Sequence, residues 1–97
     1  MEVNISSLHF IARPELNDFA NKKIQKLSRF DHNLMYADVY LKTDNQQHKF
    51  NENDKVVEVK LHSPGHELFA TASAESFEKS IALVCSKIEN QIRHYKN

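Results

Sequence analysis

Two histidines flank the turn His62-Ser63-Pro64-Gly65-His66, and Glu67 follows at once. Two imidazoles and a carboxylate are metal ligands by type. A zinc site, however, needs roughly three or four converging ligands, and neither a cysteine nor an aspartate stands nearby in sequence. His66-Glu67-Leu68 is not the zinc-helix signature either, because position 70, where a second histidine belongs, is Ala70. The plain reading is two polar residues at the end of a hairpin. No serine sits in a nucleophile motif. Gly65 is the only glycine, which excludes a glycine-rich phosphate cradle. The single cysteine, Cys85, lies in an apolar helical pattern and reads as a small buried hydrophobe. Nothing in these residues favours an enzyme, a cofactor or a metal.

The cations carry more information. Lys22, Lys23, Lys26 and Arg29 follow one another with no acid between them. On a helix, Lys22, Lys26 and Arg29 share a flank at spacings of four and three. Lys23 falls beside the apolar stripe, so its stem lies over core side chains while its ammonium reaches the rim. Near the end of the chain, Lys87, Arg93, His94 and Lys96 crowd together, opposed by Glu89. Either run alone reads as complementation of a helix dipole. Two runs on two helices over one sheet face would form a joint positive surface suited to a phosphate backbone.

The elements that must position these residues follow from hydrophobic periodicity. From Glu2 to Phe10 the chain alternates as a first strand, with a change of phase after Ile5. Pro14 suits the first turn of a helix, where its missing N–H has no helical partner. Leu16, Phe19, Ala20, Ile24, Leu27 and Phe30 then line one side of a single predicted helix. Ala37, Val39 and Leu41 alternate with Asp38, Tyr40 and Lys42. Val57, Val59 and Leu61 alternate with Glu58, Lys60 and His62. Period two marks half-buried strands. The polar stretch between Asp44 and Asp54 reads as an exposed, mobile loop. Residues 67 to 74 form a fourth strand whose Leu68, Ala70 and Ala72 let a helix pack closely. Phe77, Ile81, Val84, Cys85, Ile88, Ile92 and Tyr95 give the last helix its stripe, with Ser73 or Ser76 as cap. The order is β-α-β-β-β-α. The expected fold is a two-layer α+β domain, with both helices on one face of a four-stranded sheet and Leu16, Leu27, Val39, Val59, Ile81 and Ile88 in one core.

Size and composition set limits. The 97 residues suit one domain. No apolar run approaches the roughly 20 residues that cross a bilayer, no signal peptide opens the chain, and one cysteine allows no internal disulfide, so a cytoplasmic location is expected. Thirteen Lys and Arg balance thirteen Asp and Glu. A zero net charge argues against a uniformly basic nucleic-acid binder, and places the weight on where the charges lie.

The chain resembles the short hibernation promoting factors and ribosome-associated inhibitor A. The resemblance runs from Val3 to Lys96. It rests on the opening Val3-Asn4-Ile5-Ser6, on Lys23-x-x-Lys26-Leu27 closing with Phe30, and on Leu41-Lys42. It continues through Leu61-His62, Glu67-Leu68-x-Ala70 and Lys87-Ile88-x-x-Gln91-Ile92. Asn90 stands where an arginine is common in that family, and His94 where a lysine is common. The resemblance implies a fold related to double-stranded-RNA-binding domains. It also implies binding to the small ribosomal subunit, in the channel used by messenger RNA and transfer-RNA anticodon stems, with basic helix residues on ribosomal RNA. Long members carry a further domain that pairs ribosomes, and ribosome-associated inhibitor A carries an acidic tail. Neither is represented here, so one ribosome-binding domain over residues 1–97 is expected, without a C-terminal dimerisation domain.

The leading reading is ribosome hibernation by occlusion under stress or in stationary phase. The protein would be monomeric off the ribosome, without a membrane or small-molecule partner. The RNA-binding residues would be Lys22, Lys23, Lys26, Arg29, Lys87, Arg93, His94 and Lys96. The alternatives are a general structured-RNA-binding domain reading A-form shape, and a protein-interaction module using Tyr36, Tyr40 and Phe69 on the open sheet face.

Overall fold

The computed structural model describes residues 1–44 and 53–96. The stretch expected to be a mobile loop therefore lies, from residue 45 to 52, outside the described residues. Its ends meet: the Asp44 N–H donates to the Asp54 carbonyl at 2.7 Å.

The elements are β1 (Glu2–Leu8), α1 (Pro14–Gln25), a 3-10 helix (Lys26–Arg29), β2 (Tyr36–Thr43), β3 (Lys55–Ser63), β4 (His66–Ala74) and α2 (Phe77–Lys96). The strands lie in the order β1-β2-β3-β4. β1 runs parallel to β2, and the other neighbours are antiparallel. The parallel pair requires a crossover, and α1 supplies it.

Alternation sorts the strands into two faces. Ala37, Val39, Leu41, Val57, Val59, Leu61, Ala70 and Ala72 are buried on one face. Ala20, Ile24 and Leu27 cover them from the first helical region; Ile81, Val84, Ile88 and Ile92 cover them from α2. Both helices thus lie on one face of the sheet, as the periodicity requires. Five of the six expected core residues belong to this cluster, and the sixth, Leu16, is half-buried and packs against it. Each fully buried Val, Ile or Leu contributes about 1.5–3 kcal/mol relative to exposure. The alanines of β4 leave room for the α2 backbone to approach closely.

Two boundaries differ from the sequence reading by more than one residue. β1 ends at Leu8 because His9 adopts a left-handed backbone (φ 68°), which turns the chain out of the strand. The first helix does not continue as one α-helix to Phe30. It passes into the 3-10 form at Lys26, where the Ser28 hydroxyl donates to the Gln25 carbonyl at 2.6 Å. The apolar stripe reaches Phe30 in either form, so spacing alone could not separate them. At the start of α2, Ser76 is the cap: its Oγ accepts the Lys79 N–H at 3.2 Å.

Candidate nucleic-acid interface

The helices run side by side in the same direction. Phe10, just before α1, stacks on Phe77 at the start of α2, with ring centroids 5.2 Å apart. Midway, the Lys23 charge reaches Cys85. Past the 3-10 segment, the Arg93 guanidinium lies 5.6 Å from the Phe30 ring centroid. The C-terminal ends of both helical segments therefore meet at one end of the molecule. The last turn of α1 carries Lys22 and Lys23, and that of α2 carries Arg93, His94 and Lys96. Cations also complement the partial negative charge of the helix ends.

At that end Lys22, Lys26 and Arg29 are exposed and make no ion pair among the described residues. The 3-10 geometry aligns residues three apart, so Lys26 and Arg29 stand in one row. Lys23 is half-buried and its Nζ lies 5.6 Å from the Phe19 ring centroid, as the snorkelling argument requires. Arg93 is anchored twice, on the Phe30 face and by Glu89 Oε2 at 2.8 Å. These contacts orient the guanidinium and leave the residue exposed.

α2 distributes its own cations over two flanks. Arg93 and Lys96 face the first helical region. Lys87 faces the open edge of the sheet, where its Nζ donates to the Thr71 carbonyl at 2.7 Å. One turn on, Gln91 Nε2 donates to the Phe69 carbonyl at 2.9 Å. By helical spacing, exposed His94 shares the Lys87 flank. Of the eight residues singled out in the sequence, six lie along the C-terminal halves of the paired helical segments, with Lys23 nearest the midpoint, and Lys87 and His94 lie on the far side of α2.

A polar hub fixes this end. Asp31 is 2% exposed. Its Oδ1 accepts the Asn33 N–H at 2.9 Å, its Oδ2 accepts the Tyr95 hydroxyl, and Lys96 Nζ stands 3.9 Å away. Burial pushes the Asp31 carboxyl up, but the Tyr95 and Asn33 hydrogen bonds with the Lys96 charge outweigh it and hold the pKa below 3.8. Burial and the same carboxylate push the Tyr95 phenol up to about 12. The Tyr95 ring also packs on His66, at 4.7 Å between centroids. The hub thus ties α2, the β1–α1–β2 half and the β3–β4 hairpin together. Sequence reasoning missed it: Tyr95 was legible as a stripe residue, but its partner Asp31 lies 64 positions away.

The candidate chemistry elsewhere separates. His62 and His66 turn to different neighbours: His62 stacks on Tyr36 at 4.1 Å, on the sheet face opposite the helices. His62 Nδ1 is 3.4 Å from Glu67 Oε2, and Nε2 is 3.5 Å from Asp38 Oδ2. That second contact lacks hydrogen-bond geometry, so Nε2 has no hydrogen-bond partner among the described residues. No group of three or more His, Cys, Asp or Glu side chains converges as a metal site among the described residues. Burial pushes the Cys85 thiol up to about 11, against a smaller opposing effect of Lys23, which suits a packing role. No helix among the described residues is long and apolar enough to cross a membrane.

Fold and charge together define a class: a small two-layer α+β domain that presents cations from two paired helix ends. The chain belongs to the Sigma 54 modulation protein / S30EA ribosomal protein family, whose model matches residues 3–97. Among its relatives, the ribosome hibernation promoting factor of Pseudomonas putida is 27% identical over 96 residues, covering 99% of this chain and 87% of the relative. That of Azotobacter vinelandii is also 27% identical, covering 99% and 83%. The fold is shared with a ribosomal subunit interface protein from Coxiella burnetii (TM-score 0.83, 20% identity, 99% and 98% covered). It is shared too with the N-terminal domain of Thermus thermophilus Protein Y (TM-score 0.80, 16% identity, 98% and 99% covered).

Proposed function

We propose that this chain is a ribosome hibernation factor of the cytoplasm. It binds the small ribosomal subunit at the decoding channel and stops translation by excluding messenger RNA and transfer RNA. No bond is made or broken; the mechanism is competition for a site. Residues 1–97 act as one ribosome-binding unit, and the phosphate-facing set is Lys22, Lys23, Lys26, Arg29, Arg93 and Lys96. The observation that carries this reading is the parallel packing of the helices, which gathers cations from two distant segments at one end of a chain with no net charge. Family membership supplies the ribosome as the partner. Lys87 and His94 join this surface only through the far flank of α2, so they contribute less than Arg93.

Co-sedimentation with purified small subunits, with and without messenger RNA and anticodon stem-loops, tests the proposal. Lys23→Met with Lys26→Ala keeps the Lys23 packing, removes two charges, and is expected to weaken binding and translation inhibition together. Lys60→Ala with Lys79→Ala removes the same charge elsewhere and is expected to leave both near wild type. Equal losses in the two pairs would reduce the effect to general electrostatics and remove the assigned surface.

A further inference from the structure

The end of the molecule opposite the cations has a different chemistry. Ile11 is 96% exposed, on the short connection from β1 to α1. Leu8 beside it is 38% exposed. Between Ile11 and the start of α2 lies an open cleft of about 380 Å³, lined by Phe10, Ala12, Leu16 and Phe77 and rimmed by Arg13, Glu15 and Glu78. The left-handed backbone at His9 makes this shape. It reverses the chain so that Phe10 turns inward onto Phe77 while Ile11 stands in solvent. A left-handed residue other than glycine is uncommon, and here it holds a large aliphatic side chain away from an apolar floor it could otherwise cover.

We infer that this cleft is a docking site for a basic segment of a partner protein, one that inserts a single large apolar side chain between Ile11 and Phe77. The apolar floor supplies the anchor and the rim supplies the sign of the charge. Glu15 and Glu78 line the cleft, and Asp18 follows one turn along α1. None of the three makes an ion pair among the described residues, and Arg13 is the one opposing cation in the lining. An apolar centre inside a polar rim is the usual anatomy of a protein-recognition patch. An acidic rim repels RNA, so nucleic acid is the wrong occupant. The 16 residue steps from Phe77 to Arg93 separate the two ends by about 24 Å of helix. A partner can therefore hold the apolar end while the cationic end is engaged, and the inference does not depend on what the cations bind.

The test is a titration of the full chain, labelled with nitrogen-15, with the peptide Lys-Lys-Leu-Phe-Lys-Lys. Amide shifts are expected to saturate and to localise to residues 8–16 and 76–79. Glu-Glu-Leu-Phe-Glu-Glu and Lys-Lys-Ser-Ser-Lys-Lys are expected to bind at least about tenfold more weakly, the first for lack of charge complementarity and the second for lack of an anchor. Ile11→Ser is expected to weaken the first peptide about tenfold with its own spectrum otherwise unchanged, since a fully exposed side chain contributes no packing to the fold. Glu15→Gln with Glu78→Gln is expected to erase the preference for lysine over glutamate. Absence of saturable binding, equal binding of the three peptides, or shifts centred elsewhere would overturn the proposal. So would self-association of the free chain that Ile11→Ser abolishes, because it would assign the patch to a second copy.

Discussion

Asp31 and Tyr95 show how single residues hold the cationic end in place. A carboxylate that is 2% exposed has little access to water, so its hydrogen-bond donors must come from the protein. Tyr95→Phe removes one of them and keeps the ring on His66. The expected cost is about 1–3 kcal/mol, the usual penalty for stripping a partner from a buried polar group. Urea denaturation at neutral pH measures it, and an unchanged midpoint would show that the contact is dispensable. The pH dependence has a definite sign. Asp31 is held below its ordinary 3.8, so its contribution is present above that value and disappears as pH falls through the lower folded value. The Tyr95 phenol is raised to about 12 from 10.0, so its contribution is present below 10 and is lost as pH rises through about 12. Stability curves of wild type and Tyr95→Phe should therefore converge at both extremes and differ most between them. Little of this was legible in the sequence. An aspartate after Phe30 and a tyrosine on a helical stripe have separate, sufficient local explanations, and only the fold brings them together.

At the scale of elements, strands and helices were legible because each has one buried face, and burial imposes its period on the residue types. The exceptions are local. The switch from α to 3-10 at Lys26 leaves the apolar spacing almost unaltered, and the left-handed turn at His9 is not signalled by a glycine or an asparagine. The placement of Lys87 was also hidden, since a helical wheel gives its angle but not which neighbour lies there. That neighbour is the open edge of β4. Unpaired edge strands invite pairing with other chains, and lysines commonly blunt them. Lys87 and Gln91 hold the Thr71 and Phe69 carbonyls, so they occupy the acceptors that an added strand would use. Lys87→Ala with Gln91→Ala is expected to cost under about 1 kcal/mol, because both side chains are at the surface. Its larger effect should be association at high concentration, read by light scattering during slow heating. Scattering identical to wild type would mean that the edge is protected by other means.

For the molecule as a whole, composition misleads and distribution decides. Equal numbers of acids and bases, with a pI near 7.0, describe a chain without electrostatic preference. The fold separates the charges along a body 43 Å long, with Lys22, Lys26, Arg29 and Arg93 at one end of the helices and Glu15, Asp18 and Glu78 at the other. The two basic runs were visible in the sequence; that they meet at the same end, with Glu89 and Asp31 as the acids beside them, required the parallel arrangement of the helices. This arrangement makes a quantitative demand on small-subunit binding. Each cation that neutralises a phosphate releases condensed counterions, whatever the net charge of the rest of the chain. Six cations, two of them already beside Glu89 and Asp31, correspond to about four to six phosphate contacts and a log–log salt slope of about −3 to −5. Binding measured from low to physiological salt should show that slope in wild type. Lys23→Met with Lys26→Ala should reduce it by about 1.5 to 2, in proportion to the two charges removed, while the pair at Lys60 and Lys79 leaves it unchanged. A slope near zero would mean that the interface is made by protein, and that the cations at the helix ends serve the helices alone.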